Sequence, residues 1–349
     1  MSTVHVVLPG DIDDPLHPSG GNAYDREVCT GLAALGWSVR EHPVAGSWPH
    51  PEPESRAGLA TTFAGLPDGA VVLLDGLVAL AAPTQTAVAS ERLRVVVLAH
   101  MVGPDEDAPA ERVALLSAAG VVTTSAWTRD QLVERHALPA ERVHVAEPGA
   151  HHAEATVGSE AGGRLLCVGP ISRAKGHDVL LEALADVADL PWTCTCVGPL
   201  DRDPVLVGTL RDRVEQLGLT DRVTLTGALP DLSEQYADTD LLVHPTRAEA
   251  YGMVVTEALA HAVPVLASDV GGVPLALGHA ESHRPGMLVP PGDPHALAEA
   301  LRLWLDDADT RARLRSAAGA RRRELTPWRE TVTRVAQVLS EVADGPRSP

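Results

Sequence analysis

The chain has 349 residues, of which 45% are hydrophobic and 21% are charged, a composition typical of a globular protein with room for two domains. Its formal net charge is −19, and residues 1–150 contain nineteen Asp and Glu against nine Arg, which disfavours binding to nucleic acid or to anionic lipid. The N-terminus lacks a basic flank followed by an apolar core, and no apolar run approaches the roughly 20 residues that span a bilayer. We therefore expect a cytoplasmic protein without stable membrane binding.

The first 150 residues alternate apolar strand segments with loops and helices. A strand over residues 4–8 is followed by a long loop and by a helix over residues 22–35, which ends at Gly36. Residues 40–55 are rich in Pro and His and predict an irregular surface excursion. Continuous apolar, β-branched runs predict further buried strands at residues 71–74, 95–99, 121–124 and 143–146. This alternation indicates one Rossmann-like domain.

The second half repeats the alternation after a segment, residues 151–163, that has no periodicity and predicts an inter-domain linker. Strands are predicted at residues 165–168, 193–197, 223–226, 240–244 and 263–268, with helices at 178–188 and 205–217. A last helix over about residues 326–342 begins with Thr326 as N-cap and Pro327 in its first turn. We expect a first domain over residues 1–155, a second over residues 156–326 and a terminal helical segment over residues 327–349.

The segment over residues 247–257 places Glu249 and Glu257 eight positions apart, on either side of a Gly that opens an apolar helix. A helix that begins near Gly252 directs its first amides and the positive end of its dipole at a ligand, which suits a diphosphate. Glu257 lies five residues along that helix, roughly 7–8 Å at 1.5 Å per residue, where it could accept from ribose hydroxyls while Glu249 reaches the sugar. We expect five residues of this segment to bind the nucleotide sugar: Tyr251, Gly252, Met253, Val254 and Glu257.

The pattern Glu-x7-Glu, with Ala-Tyr-Gly after the first Glu, resembles the signature of glycosyltransferase family 4, whose members are retaining enzymes of the GT-B fold. The resemblance extends from about residue 3 to residue 340. It implies an α/β protein of two Rossmann-like domains facing across a cleft, with the last helix crossing back to the first domain. It also implies that the second domain binds a nucleoside-diphosphate sugar and that the first presents an acceptor.

The resemblance further implies a retaining glycosyltransferase of hexosyltransferase type, in which the acceptor attacks on the same face and the leaving phosphate takes its proton. The acidic first half and the lack of a basic docking helix favour a small, soluble acceptor. The one dense basic cluster, six Arg between residues 311 and 323, is expected to form a solvated helix face. The nucleotide base, the sugar, the acceptor and the oligomeric state are not indicated.

Lys175 is the only lysine of the chain, against twenty-seven Arg, and it lies between a predicted strand and a predicted helix. A compact ammonium suits a diphosphate as a point charge, whereas Arg requires planar fork geometry. In glycosyltransferase family 4 an Arg usually follows the Gly that begins this loop. In this sequence Pro170 occupies that position. Arg173, inside the same loop, is the candidate replacement, so we expect both Arg173 and Lys175 to contact the donor.

Two further sites of the first half match the family. Gly20 and Gly21 precede the first predicted helix, where a missing Cβ lets the backbone approach the donor phosphate or the acceptor. His100 follows the strand over residues 95–99, and the resemblance implies that it bonds near the transferred sugar or the phosphate. We therefore expect His100, Lys175 and Glu249 to act in catalysis. No metal-ligand spacing such as His-x3-His is present, so we expect no metal and no cofactor other than the donor.

Three alternatives remain open from the sequence. A nucleotide-sugar epimerase would release a changed sugar without an acceptor, and a glycosyl phosphorylase would require inorganic phosphate. A non-catalytic subunit that binds a nucleotide sugar is the third, because Pro170 replaces the family Arg. Leu275 also stands where the family commonly has Glu, which leaves the selectivity for the sugar open.

Overall fold

A computed structural model describes residues 2–280 and 283–345. They group into two compact units. The first unit is built on Ser19–Gly149, with the first strand and the last helix of the chain, and the second on Ala150–Pro327, with Pro15–Pro18. Each unit contains a parallel β-sheet with α-helices packed against it. The unit boundaries therefore fall at Gly149 and at Trp328.

The described part of the first unit contains a six-stranded parallel sheet in the order β2-β1-β3-β4-β5-β6. Its strands are β1 (Thr3–Pro9), β2 (Ser38–Val44), β3 (Val71–Asp75), β4 (Arg94–Ala99), β5 (Gly120–Thr123) and β6 (Val143–Val145). β3 and β5 are buried along their whole length, which is why their sequences are continuous apolar runs rather than alternating ones.

The helices of this unit before residue 150 are α1 (Gly20–Ala34), α2 (Pro53–Ala64), α3 (Gly76–Ala81), α4 (Pro83–Ser90), α5 (Ala108–Ser117) and α6 (Ala126–His136), with 3₁₀ turns at Asp105–Asp107 and Ala140–Arg142. α1 begins two residues earlier than the sequence predicts. The hydroxyl of Ser19 accepts from the amide of Asn22 at 3.1 Å and caps the helix there. Gly20 and Gly21 consequently lie in the first helical turn and not in a preceding loop.

The prediction of an irregular excursion over residues 40–55 is wrong for its first part. Residues 38–44 form β2, which pairs with β1 in parallel register from Thr3 opposite Ser38 to Pro9 opposite Val44. β2 is the edge strand of the sheet, where Pro43 costs no hydrogen bond of the ladder and polar side chains can face water. Its polar composition therefore hid the strand from a search for apolar runs.

The described part of the second unit contains a second six-stranded parallel sheet in the order β12-β11-β10-β7-β8-β9. Its strands are β7 (Arg164–Val168), β8 (Thr193–Val197), β9 (Val223–Gly227), β10 (Leu241–His244), β11 (Val265–Ser268) and β12 (Gly286–Val289). The helices from here to the end are α7 (His177–Asp186), α8 (Pro204–Gln216), α9 (Ser233–Ala237), α10 (Met253–Ala260), α11 (Val273–Leu277), α12 (Pro294–Asp306), α13 (Ala308–Arg322) and α14 (Trp328–Asp344), with a 3₁₀ turn at Arg173–Lys175.

Helix α14 packs against α1 in the first unit. The approach is close because a Cβ at Gly31 of α1 would lie only 2.4 Å from a methyl group of Val332. In the parts of the chain that the structure describes, no helix is both long enough and apolar enough to cross a membrane.

Both sheets change winding direction beside the strand that comes first along the chain, β1 or β7. In the first, the chain places β2 on one side of β1 and then β3 to β6 on the other; in the second, it places β8 and β9 on one side of β7 and then β10 to β12 on the other. Ligands of open parallel sheets bind beyond the carboxyl ends of the strands at such a switch point. We therefore expect ligands to bind at the loops after β1 and β3 in the first unit and at the loops after β7 and β10 in the second.

The expectation that the Arg cluster of α13 forms a solvated face is wrong for Arg315 and Arg322, whereas Arg313 and Arg323 are exposed. Arg315 donates to the carbonyl of Ser159 at 2.6 Å and lies 3.5 Å from the Asp240 carboxylate. Arg322 donates to the carbonyls of Ala260 and Ala153. The guanidinium has five donors in a fixed fork, so a cluster of Arg satisfies several loop carbonyls at once. These residues fasten the segment after residue 150 to the second unit.

We expect Leu301→Ala to lower the free energy of unfolding by about 2–5 kcal/mol, because Leu301 is fully buried in the core of the second unit. Leu303, two residues further along α12, is 46% exposed and provides the matched control. Leu303→Ala should change the same free energy by no more than about 0.5 kcal/mol. Denaturant unfolding of the two variants measures both, and equal losses would contradict the packing of α12.

Candidate functional site

The centre of the second unit holds an ion pair between Lys175 and Glu249. Lys175 ends the 3₁₀ turn after β7, and Glu249 lies in the loop after β10. These loops adjoin because β7 and β10 are neighbours at the switch point. Lys175 Nζ lies 2.6 Å from Glu249 Oε2, and the two side chains are 23% and 16% exposed. Lys175 and Glu249, which the sequence analysis considered separately, thus form one ion pair beyond the carboxyl ends of β7 and β10.

His244 supports the same carboxylate. It is the last residue of β10, is almost fully buried, and its Nε2 lies 3.2 Å from Glu249 Oε2. Because a carboxylate can only accept, this ring nitrogen must carry the proton. Burial acts to raise the pKa of Glu249, but the hydrogen bond from His244 and the charge of Lys175 lower it to about 2. Glu249 is therefore ionised throughout the physiological range.

The ion pair leaves bonding capacity for a ligand. Both contacts of Glu249 use Oε2, and within the described residues Oε1 makes no hydrogen bond. The Lys175 ammonium has three N–H donors, of which the ion pair uses one. One carboxylate oxygen and two ammonium donors are thus available side by side, a combination that fits a hydroxyl next to an anionic group.

The loops that hold the ion pair are braced against each other. The amide of Arg247 and the hydroxyl of Thr246 both donate to the carbonyl of Ala174, at 2.7 and 3.0 Å. The Arg247 guanidinium bonds the Asp178 carboxylate twice at 2.7 Å and also donates to the carbonyl of Arg173. These contacts fix the turn in which Lys175 lies. The side chain of Arg173 is exposed and makes no hydrogen bond with the described residues. Its expected contact with the donor therefore stays a prediction.

Two glycines let these loops touch. Gly176 has φ +68°, and a Cβ there would lie 2.0 Å from the carbonyl oxygen of Pro245. Gly271, in the loop after β11, has φ +58°, and its Cβ would lie 1.8 Å from the carbonyl oxygen of Glu249. A side chain at either position would push the loop after β10 away and separate Glu249 from Lys175.

Glu257 has a different surrounding, which includes a residue that sequence reasoning missed. Its Oε2 accepts from the hydroxyl of Tyr236 at 3.0 Å, and the Tyr236 ring is buried and stacks on His261 at a centroid distance of 5.0 Å. Burial raises the pKa of Glu257, and the bond from Tyr236 opposes that change. Tyr236 gave little signal in the sequence because it precedes Glu257 by 21 positions and lies in a short helix.

The residues that flank the start of α10 serve mainly in packing. Gly252 has φ +102° and caps α10; its carbonyl accepts from the amide of Val255 at 2.9 Å, so the amides of Met253 and Val254 are the ones without a partner within the helix. The Tyr251 ring is 7% exposed and belongs to the core beneath the sheet, and Met253 and Val254 pack half-buried against that core. Any donor contact of Tyr251, Met253 and Val254 would thus come mainly from their backbone.

In the first unit the structure brings His100 together with two carboxylates that sequence reasoning missed. His100 Nε2 lies 2.9 Å from Asp25 Oδ1 and 3.4 Å from Asp75 Oδ2. Asp25 lies in α1 after β1, and Asp75 ends β3, so both border the switch point. Gly21 lies against the ring: its Cβ would be 3.3 Å from His100 Cδ2. The sequence offered one signal for Asp75, because it is a polar residue at the end of an apolar strand, as His244 is in the second unit.

Two groups among the described residues place three potential metal ligands within 4.8 Å of one another. One is the cluster of Asp25, Asp75 and His100; the other joins Cys167, His177 and Cys196 in the core. Hydrogen bonding with Cys196 and burial raise the pKa of the Cys167 thiol well above its ordinary value.

Comparison with known proteins finds a family match in the second unit. Residues 157–321 match the family of glycosyl transferases group 1. That range contains Lys175, Glu249 and Glu257.

The chain is similar to curated proteins that are named glycosyltransferases. The D-inositol 3-phosphate glycosyltransferase of Thermobispora bispora is 34% identical over 234 residues, which are 61% of this chain and 54% of that protein. The alpha-D-kanosaminyltransferase of Streptomyces kanamyceticus is 32% identical over 224 residues, which are 59% of this chain and 56% of that protein. The chain thus spans a little over half the length of these two relatives.

Solved structures share the fold over almost the whole chain. Sucrose-phosphate synthase from Thermosynechococcus elongatus has a TM-score of 0.81 at 21% identity, covering 98% of this chain and 99% of that one. Anabaena Alr3699/HepE, in complex with UDP-glucose, has a TM-score of 0.79 at 20% identity, covering 98% and 100%. The predicted GT-B class, an α/β fold with two Rossmann-like domains, is confirmed.

We expect Glu249→Gln to make the stability of the protein less dependent on pH in acid. The folded pKa of Glu249, about 2, is below its ordinary value near 4.3, so its stabilisation is present above about pH 4.3 and is lost as the pH falls towards 2. The wild type should exceed the variant by about 3 kcal/mol at pH 7, and this difference should shrink below pH 4.5. Denaturant unfolding at several pH values measures it.

Glu182→Gln is the control, because Glu182 forms an ion pair with Arg213 at the surface, where both side chains are about 40% exposed. Its effect should stay below about 1 kcal/mol at every pH. A constant difference between the wild type and Glu249→Gln from pH 7 to pH 2.5 would show that Glu249 has an ordinary pKa.

Proposed function

We propose that this protein is a retaining glycosyltransferase that acts in the cytoplasm and moves a hexose from a nucleoside-diphosphate sugar to a small acceptor. The observation that supports it most is the ion pair of Lys175 and Glu249 at the switch point of the second sheet, with two ammonium donors and one carboxylate oxygen unused. The match of residues 157–321, a range that contains both residues, to glycosyl transferases group 1 supports the proposal.

The donor is proposed to bind the second unit through its diphosphate. Lys175 supplies a point charge, and the amides that open α10 supply the positive end of a helix dipole. Glu249 Oε1 accepts from a hydroxyl of the sugar, and Glu257 accepts from the ribose. Alr3699/HepE, which shares the fold, has been solved in complex with UDP-glucose, a ligand of this class.

In the proposed reaction, the bond between the anomeric carbon and the phosphate oxygen breaks while the acceptor oxygen forms a bond on the same face. The leaving phosphate takes the proton of the acceptor hydroxyl. Negative charge develops on the phosphate, and Lys175 together with the first amides of α10 stabilises it. We propose that this stabilisation suffices without a divalent metal or a further cofactor.

A small acceptor is supported by two observations. Residues 1–150 carry an excess of negative charge, which disfavours binding to anionic membrane lipid. The name of the Thermobispora relative specifies inositol 3-phosphate as acceptor, a small polar molecule. We therefore propose that the first unit presents a small, polyhydroxylated acceptor.

The two glutamates should fail in different ways, and this difference tests the proposal. Glu257→Gln should weaken the binding of a nucleoside diphosphate about tenfold, because it removes a charge-assisted hydrogen bond. It should also abolish any preference for the ribonucleotide over its 2′- and 3′-deoxy forms. Glu249→Gln should change nucleotide affinity less than about threefold but lower sugar transfer at least about a hundredfold. Calorimetry with UDP, GDP and ADP, and turnover of the sugar donors with excess EDTA, measure these effects.

Glu234→Gln, an exposed change on the neighbouring helix α9, should alter neither quantity. Nucleotide binding that is lost with Glu249→Gln and kept with Glu257→Gln would reverse the assignment.

NMR of the product should show the anomeric configuration of the donor sugar. A changed sugar released without acceptor would indicate an epimerase, and a strict need for inorganic phosphate would indicate a phosphorylase.

A further inference from the structure

The imidazole of His100 is held by two carboxylates at a single ring nitrogen. Nε2 lies 2.9 Å from Asp25 Oδ1 and 3.4 Å from Asp75 Oδ2, and the side chains are 11%, 1% and 3% exposed, respectively. The contact with Asp25 is an ion pair without well-aligned hydrogen-bond geometry, and it requires a proton on Nε2, because lone pairs on nitrogen and on an ionised carboxylate oxygen would repel at 2.9 Å. Nδ1 is buried and has no hydrogen-bond partner among the described residues, so it is the nitrogen left for another partner.

The ring is also held in place sterically. Gly21 lies against it, since a Cβ at that position would be 3.3 Å from His100 Cδ2. Tyr24 contacts it edge-on, with ring centroids 5.4 Å apart and planes at 73°, and the Tyr24 hydroxyl is anchored to the carbonyl of Ala146 at 2.9 Å. A ring fixed from several sides keeps the direction of its free nitrogen constant.

The two carboxylates differ in what else stabilises them. Asp75 Oδ1 accepts from the amide of Val78 at 3.0 Å, at the N-terminus of α3. The Asp25 oxygens are buried and accept no well-aligned hydrogen bond from the described residues, so the ion pair with His100 is their polar contact. An ionised carboxylate so placed is costly unless a positive charge accompanies it. Asp25 therefore depends on His100 for its charge.

The titration of the cluster follows from these contacts. Burial raises the pKa of Asp25, and Asp25 with Asp75 raises the pKa of His100 against the opposing effect of burial. The groups that face the ring are Asp25 on α1, Asp75 at the end of β3 and the phenol of Tyr24. Nothing cationic faces it among them, so the surroundings favour the imidazolium.

We propose that Asp25 is a positioning residue for His100: its carboxylate orients the ring through Nε2 and keeps it as an imidazolium, which leaves the Nδ1 proton to be donated to a substrate oxygen. The recognised chemistry is a hydroxyl or phosphate oxygen with a free lone pair. The catalytic consequence rests on the proposed glycosyltransferase function, whereas the protonation of His100 can be measured without it.

The experiment observes the histidine rings directly. Protein labelled with ¹⁵N in histidine is studied by NMR from pH 5 to pH 9, and the His100 signals are those lost in His100→Gln. In the wild type His100 should remain an imidazolium beyond pH 8. In Asp25→Asn, which keeps the shape and an acceptor oxygen but removes the charge, it should become neutral at least one pH unit lower.

Transfer activity provides the second measurement. Because the variant loses the imidazolium as the pH rises, Asp25→Asn should transfer sugar within about threefold of the wild-type rate at pH 6 and at least about tenfold more slowly at pH 8. A merely structural defect would lower the rate equally at both values. Asp25→Glu, which retains the charge, should recover part of the rate at pH 8.

Glu111→Gln is the matched control within the same unit. Glu111 and His136 form another buried pair, with His136 Nε2 2.7 Å from Glu111 Oε2 and both side chains at most 2% exposed. The control should move the His136 signals and leave both the His100 signals and the pH dependence of transfer unchanged. It separates the effect of Asp25 from that of removing any buried carboxylate.

Two results would overturn the proposal. One is a wild-type His100 that is neutral at pH 7, which needs no variant to fold. The other is a stoichiometric divalent metal in purified protein that is lost in Asp25→Asn, since the cluster would then hold an ion and not a proton. The expected NMR result combined with no transfer from any nucleoside-diphosphate sugar would support the His100 assignment and refute the proposed function.

Discussion

The ion pair between Lys175 and Glu249 is the constraint that organises the second unit. Two charges that are only about one-fifth exposed are stable together only when their geometry is fixed and their remaining bonds are satisfied. The structure meets this requirement with His244 behind the carboxylate, Arg247 between the loops, and glycines at the two points of closest backbone approach. The loops after β7, β10 and β11 are consequently held against one another, which suits a site that must present fixed charges to a phosphate.

The two units use the same principle at corresponding places. Each sheet reverses its winding beside its first strand, and at each reversal a cationic or protonatable side chain meets a carboxylate. In the second unit the pair is lysine with glutamate and keeps a carboxylate oxygen unused. In the first unit it is histidine with two aspartates, all nearly buried, and the ion pairs involve Nε2 of the ring. We infer that the first site offers a single buried ring nitrogen, Nδ1, whereas the second binds by charge.

The sequence predicted the buried strands well, because β-branched apolar runs such as residues 71–74 and 95–99 have few alternatives to a doubly covered sheet. It also singled out Glu249 and Glu257 from their local Glu-x7-Glu spacing and Lys175 as the single lysine, and their contact with a donor stays a prediction. It failed where tertiary context decided the outcome. β2 is polar because it is an edge strand, the Arg cluster of α13 bonds carbonyls from distant segments, and Tyr236, His244, Asp25 and Asp75 gain their roles only from partners brought near by the fold. Direct pairing of Lys175 with Glu249, 74 positions apart, was equally invisible to local patterns.

The most direct test of the proposed donor site uses the single lysine. Apart from the α-amine of the chain, Lys175 has the only primary amine, so acetylation by an amine-selective reagent can be followed at two positions by intact mass and peptide mapping. A saturating nucleoside diphosphate, with saturation established by calorimetry, should slow acetylation of Lys175 at least about tenfold and leave the α-amine reactive, and protein acetylated at Lys175 should lose both nucleotide binding and transfer. Acetylation of Lys175 at the same rate with and without bound nucleotide would contradict a diphosphate contact at this residue.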